Sequence, residues 1–130
     1  MKLKFKKLAI MALTVATVAS NGMTAFAASN SKTTSGYGKL YGSLTKTGNY
    51  VTSVTKNPDK AKLTISGTIQ DVNGKTLVTQ QTIYSGRGAT KLSGHWTNIP
   101  SKAYAIYGAH GVQGGTKYGA AVVYTVTHVK

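Results

Sequence analysis

Lys62-Leu63-Thr64-Ile65-Ser66-Gly67-Thr68-Ile69-Gln70-Asp71, followed by Val72, Asn73 and Gly74, is the stretch whose reading decides the fold. Its period is two. Leu63, Ile65, Gly67 and Ile69 fall on one side, and Lys62, Thr64, Ser66, Thr68 and Gln70 fall on the other. Alternation of that kind is what a half-buried strand requires. Asn73-Gly74 suits a tight type I′ turn, because both residues tolerate positive φ. The expected partner strand then sets Val72 against Lys75, Ile69 against Val78, Ile65 against Thr82 and Leu63 against Tyr84.

Further strands are expected at Tyr37–Lys46, Tyr50–Lys56, Ala89–Trp96, Ala103–Gly111 and Lys117–Val129. They are separated by Thr47-Gly48-Asn49, Asn57-Pro58-Asp59, Gly86-Arg87-Gly88, Asn98-Ile99-Pro100 and Gly114-Gly115, all rich in turn-forming residues. The final strand is apolar on both faces, which predicts a central position. No helical periodicity interrupts this pattern. About seven short strands predict an all-β domain, a single antiparallel β-sandwich, with a small β-barrel as the alternative.

The strands occupy residues 37–130. Residues 28–36, Ala-Ser-Asn-Ser-Lys-Thr-Thr-Ser-Gly, are small and polar and are expected to form a flexible leader. Residues 1–27 read as a signal peptide. Lys2, Lys4, Lys6 and Lys7 precede an uncharged apolar run from Leu8 to Ala19, and Ala25-Phe26-Ala27 supplies a cleavage site after Ala27. The run falls short of the roughly 20 residues needed to cross a bilayer. Any helix there belongs to the precursor, and the mature protein is expected to be secreted and extracellular. With no cysteine there is neither a disulfide framework nor a lipid-attachment thiol, which fits a bacterial extracellular protein.

Charge limits the chemistry. The chain has 16 Lys and Arg against 2 acidic residues, and four of those lysines lie in the export segment. The mature part therefore carries twelve cations and two aspartates, a net charge of +10. Asp59 and Asp71 both sit in turn sequences, where a carboxylate caps backbone N–H groups. A carboxylate pair for glycoside hydrolysis is not expected, and a calcium site is equally short of ligands. His95, His110 and His128 lack metal-ligand spacing, and His110 and His128 are expected on opposite faces of the sheet. No metal and no cofactor is predicted. Nothing resembles a nucleophile elbow.

Two segments stand out as candidate binding sites. Gly86-Arg87-Gly88, with Lys91 nearby, holds the only arginine between two glycines. Its guanidinium could grip an anion with paired hydrogen bonds, or pin strand ends through backbone carbonyls. His95-Trp96, with Tyr107 and His110, could form an aromatic platform, although a lone tryptophan usually anchors a core. The lysines are dispersed along the chain without a run that marks a patch.

A near absence of acids points to anionic partners. The expected function is a small cationic protein that binds anionic cell-wall polymer, polysaccharide or lipid surfaces, with bacteriocin-like antagonism as a secondary role. The alternatives are a structural or adhesive matrix protein that assembles by edge addition, and an enzyme with an unrecognised site. Specific nucleic-acid binding has no motif behind it, and the mature chain has no transmembrane segment.

Overall fold

The structure is a computed structural model that describes residues 28 to 129. The export segment expected over residues 1–27, its cleavage site and Lys130 lie outside the described residues. Among the described residues the strands are β1 (Ser29–Thr33), β2 (Lys39–Leu44), β3 (Asn49–Val54), β4 (Lys62–Gln70), β5 (Thr76–Tyr84), β6 (Lys91–His95), β7 (Ala105–Gln113) and β8 (Ala121–His128). They form two four-stranded antiparallel sheets, ordered β1-β2-β3-β6 and β5-β4-β7-β8. Two separate sheets make this a sandwich rather than a barrel.

Period-two patterning decides which side chains enter the space between the sheets. From the first sheet come Leu40 and Leu44 of β2 and Tyr50, Thr52 and Val54 of β3, all buried. Leu63, Ile65 and Ile69 of β4 meet them from the second sheet, with Ile106, His110 and Val112 of β7 beside them. Trp96 closes one end of this layer. Its Nε1 donates to the Tyr50 hydroxyl at 3.1 Å, and that hydroxyl donates to the Tyr107 carbonyl at 2.9 Å. A buried aromatic with a polar tip is stable only when the tip finds a partner, and both tips do so here.

The central hairpin departs from its expected geometry in an instructive way. Ile69 faces Val78 as expected, but Ile65 faces Ile83 rather than Thr82, and Tyr84 faces Thr64 rather than Leu63. Register shifts between Gly67 and Ile69, and again at Gln70, place extra residues in β5. The turn is not type I′. Only Gly74 has positive φ there, at 82°, and its N–H bonds to the Asp71 carbonyl at 3.0 Å. Asp71 Oδ1 accepts the N–H groups of Asn73 and Lys75 at 2.8 and 3.0 Å. A carboxylate that caps two N–H groups holds a wider turn ending in a glycine bulge.

Three other expectations change. Residues 29–33 are not a free leader. They pair with β2 from Ser29–Ser43 to Thr33–Lys39, and so supply the eighth strand. Burial could not have revealed this strand, because backbone hydrogen bonds rather than apolar contacts recruit it. The apolar C-terminal strand is an edge, not a centre, and β4 and β7 take the central places. It also starts later than expected, at Ala121, because residues 114–120 form a loop.

The outward face of the second sheet carries its own apolar cluster: Ala105, Tyr107, Ala109 and Val126, flanked by Tyr104, Val122 and Tyr124. Ser66 and Thr82 share a 2.9 Å hydroxyl contact on that face. Among the described residues no helix is long and apolar enough to cross a membrane.

Candidate functional site

Antiparallel pairing gathers cations that lie far apart in the chain. Lys39 begins β2, Lys62 begins β4 and Lys91 begins β6, and all three starts lie at one end of the sandwich. Lys32 pairs with Leu40 at the same end, and Lys56 N–H bonds to the Tyr37 carbonyl there. The loops at that end add Lys60, Arg87 and Lys117. Eight of the eleven described Lys and Arg residues therefore share one pole, and all but the half-buried Lys62 are exposed. Lys46, Lys75 and Lys102 lie at the other end, together with Asp71.

Asp59 is the one carboxylate at the cationic pole, and the backbone consumes it. Its oxygens accept the N–H groups of Thr116, Lys117 and Tyr118 at 2.9–3.0 Å and the Thr116 hydroxyl at 3.1 Å. The buried Tyr37 hydroxyl donates to Oδ2 at 3.1 Å. Burial pushes the Asp59 carboxyl up, but the backbone donors at Tyr118, Lys117 and Thr116 outweigh it and hold the group at about 2. Burial, reinforced by Asp59, raises the Tyr37 hydroxyl, which stays a donor. The expected capping role is thus exercised across to another loop. Asn57 closes the local turn instead, through Ala61 N–H at 3.0 Å and the carbonyls of Ala61 and Ala89 at 2.9 and 2.8 Å.

Arg87 belongs to the same frame. Its Nη1 donates to the carbonyls of Lys60 at 3.3 Å and Gly114 at 3.2 Å, which ties three loops together. Gly86 and Gly88 flank it, and Lys91 is exposed at the start of β6. The sequence offered two roles for this arginine, and the bonds it makes are those of the pinning role. Pinning also sets its positive charge among the lysines.

The proposed aromatic platform is not brought together. Trp96 is in the core, His95 faces outward from the first sheet opposite Asn49, and Tyr107 lies on the outward face of the second sheet. His110 is fully buried between the sheets. Its Nδ1 lies 3.0 Å from Thr52 Oγ1 and its Nε2 lies 2.7 Å from Thr125 Oγ1. Burial lowers its pKa to about 3, with a backbone hydrogen bond to Val51 acting in the opposite sense. His128 stacks near Tyr104, at 4.7 Å between ring centres, on the outward face. His110 and His128 do point to opposite sides, even though the β7–β8 loop is longer than expected. Among the described residues no three His, Cys, Asp or Glu side chains group as metal ligands.

One exposed aromatic was missed. Tyr41, 39 % exposed, stands on the outward face of the first sheet with Lys39 two residues away on the same strand. Strand alternation alone could have placed it there. Comparison with protein-family models, curated proteins and solved structures gives no match, so the chain's own residues carry the functional argument.

Proposed function

We propose that this is a secreted cationic protein of bacterial origin that attaches to anionic polymers of the cell envelope or extracellular matrix. The observation that supports this reading is the pole. Eight cations meet at one end of a rigid sandwich, and the only carboxylate among them is enclosed by backbone donors. Clustered like charge raises the local potential and draws a polyanion to that end. The repulsion it costs is sustained because Asp59, Asn57 and Arg87 lock the loops that carry the lysines.

Assembly by edge addition is the less favoured reading. The longest edge strand, β5, is bulged twice against its neighbour, and bulges spoil an edge as a template for a further strand. Catalysis is also less favoured, because each aspartate is already engaged in a turn or loop.

The test is retention on bacterial cells across a salt series. The protein is expected to sediment with cells at low ionic strength and to be released as salt screens the contacts. Retention that ignores salt, or no retention at all, overturns the reading.

A further inference from the structure

The outward face of the first sheet has the chemistry of a sugar platform. Ser31, Tyr41, Ser53 and Lys91 form one row across all four strands, and Ser29, Ser43, Val51 and Ser93 form the next. Val51 is thus the diagonal neighbour of Tyr41, so ring and isopropyl group make a short apolar strip bordered by hydroxyls. Tyr41 has no side-chain hydrogen bond or ring contact among the described residues, and it is exposed. The four strands of this sheet contain no carboxylate.

Charge sits at one margin of this strip. Lys39 is two residues from Tyr41 along β2, and Lys91 lies two strands away in the same row, roughly 10 Å by ordinary strand spacing. Both are exposed. A pyranose ring presents an apolar C–H face with hydroxyls at its rim, which matches the strip and its border. A charged substituent on that ring would come within reach of either lysine.

We infer that this face binds acidic polysaccharide, with a sugar ring stacked on Tyr41 and its anionic substituents held by Lys39 and Lys91. The inference rests on the polyanion reading above and narrows it to one polymer class. A linear polyphosphate could satisfy the cationic pole, but it offers no ring to Tyr41.

Binding to three immobilised probes tests it: polygalacturonate, which has rings and charge; polyphosphate, which has charge alone; and dextran, which has rings alone. Wild type is expected to bind polygalacturonate most tightly. Tyr41→Ala should weaken that binding by about fivefold or more while leaving polyphosphate unchanged, and Tyr41→Phe should retain it because the stacking surface survives. An unaltered melting temperature confirms that Tyr41→Ala is folded. If Tyr41→Ala binds polygalacturonate as wild type does, or loses both polyanions equally, the platform is overturned and the polyanion reading stands. If wild type binds neither polyanion, both fall.

Discussion

The Oγ1 of Thr52, in one sheet, lies 3.0 Å from the Nδ1 of His110, in the other. Thr52 also donates to the Thr64 carbonyl at 3.0 Å, which uses its only hydrogen. Counting donors therefore assigns the proton to Nδ1, and Nε2 accepts from the Thr125 hydroxyl. The imidazole is a neutral bridge between the sheets, satisfied at both nitrogens.

That bridge makes the fold sensitive to acid. Tyr50, Thr52, Thr125, Gly42 and Ile65 surround the ring, and none of them is charged near neutral pH. The folded pKa lies at about 3, below the ordinary imidazole value of 6.5, so between these values the unfolded chain binds the proton and the folded chain does not. Stability is complete above 6.5 and declines as pH falls toward 3. Denaturant unfolding measured at a series of pH values should show this loss. In His110→Gln, less stable at neutral pH, that part of the slope should disappear. An equal slope in the variant refutes the assignment.

Gly42 makes the room that His110 occupies. A Cβ on Gly42 would collide with the imidazole ring carbon of His110. Gly42→Ala must therefore displace the ring or spread the sheets, and overpacking of this kind costs on the order of 1–3 kcal/mol. The expected result is a clear fall in unfolding midpoint. A variant as stable as wild type would show that the sheets have slack here.

Asp59→Asn tests the loop frame at the cationic pole. An amide can accept some of the N–H groups of Thr116, Lys117 and Tyr118, but it loses the charge that strengthens them. The melting temperature should fall, and amide exchange should quicken in residues 116–118 before the core responds. The carboxyl is held at about 2, below the ordinary aspartate value of 3.8. Its contribution is therefore full above 3.8 and lost only as pH drops through 2, a lower window than that of His110. Uniform exchange across the domain would contradict this local role.

Much of the fold was legible because it follows from period and turn chemistry. Lys62–Gln70 alternates so regularly that its strand and the existence of its hairpin follow from period and turn residues, whereas the bulged register and the turn type do not. The parity that separates His110 from His128 survived a loop of the wrong length, since a shift by an even number keeps the face. Strand order was not legible. Apolar content put the C-terminal strand at the centre, yet β8 is an edge, because flanking partners depend on the return path of the chain. The role of β1 was hidden as well, since Ser-Asn-Ser-Lys-Thr is held by backbone bonds that any sequence can make. The cationic pole escaped for the same reason as strand order. Lys39, Lys62 and Lys91 look scattered until antiparallel pairing brings their strand ends together.

Location rather than total charge should then govern attachment. Replacing Lys56, Lys91 and Lys117 with glutamine removes three charges from the crowded pole, and replacing Lys46, Lys75 and Lys102 removes three from the other. All six side chains are exposed, so neither triple should much alter stability. Net charge falls equally in both. If attraction depended on net charge alone, the two variants would bind a polyanion alike. If the pole concentrates the field, the first triple should lose most of its affinity and flatten the salt dependence, because fewer counterions are displaced. The second triple should remain close to wild type. Affinity for polyphosphate measured at several salt concentrations distinguishes the two, and equal losses would return the lysines to a diffuse coat.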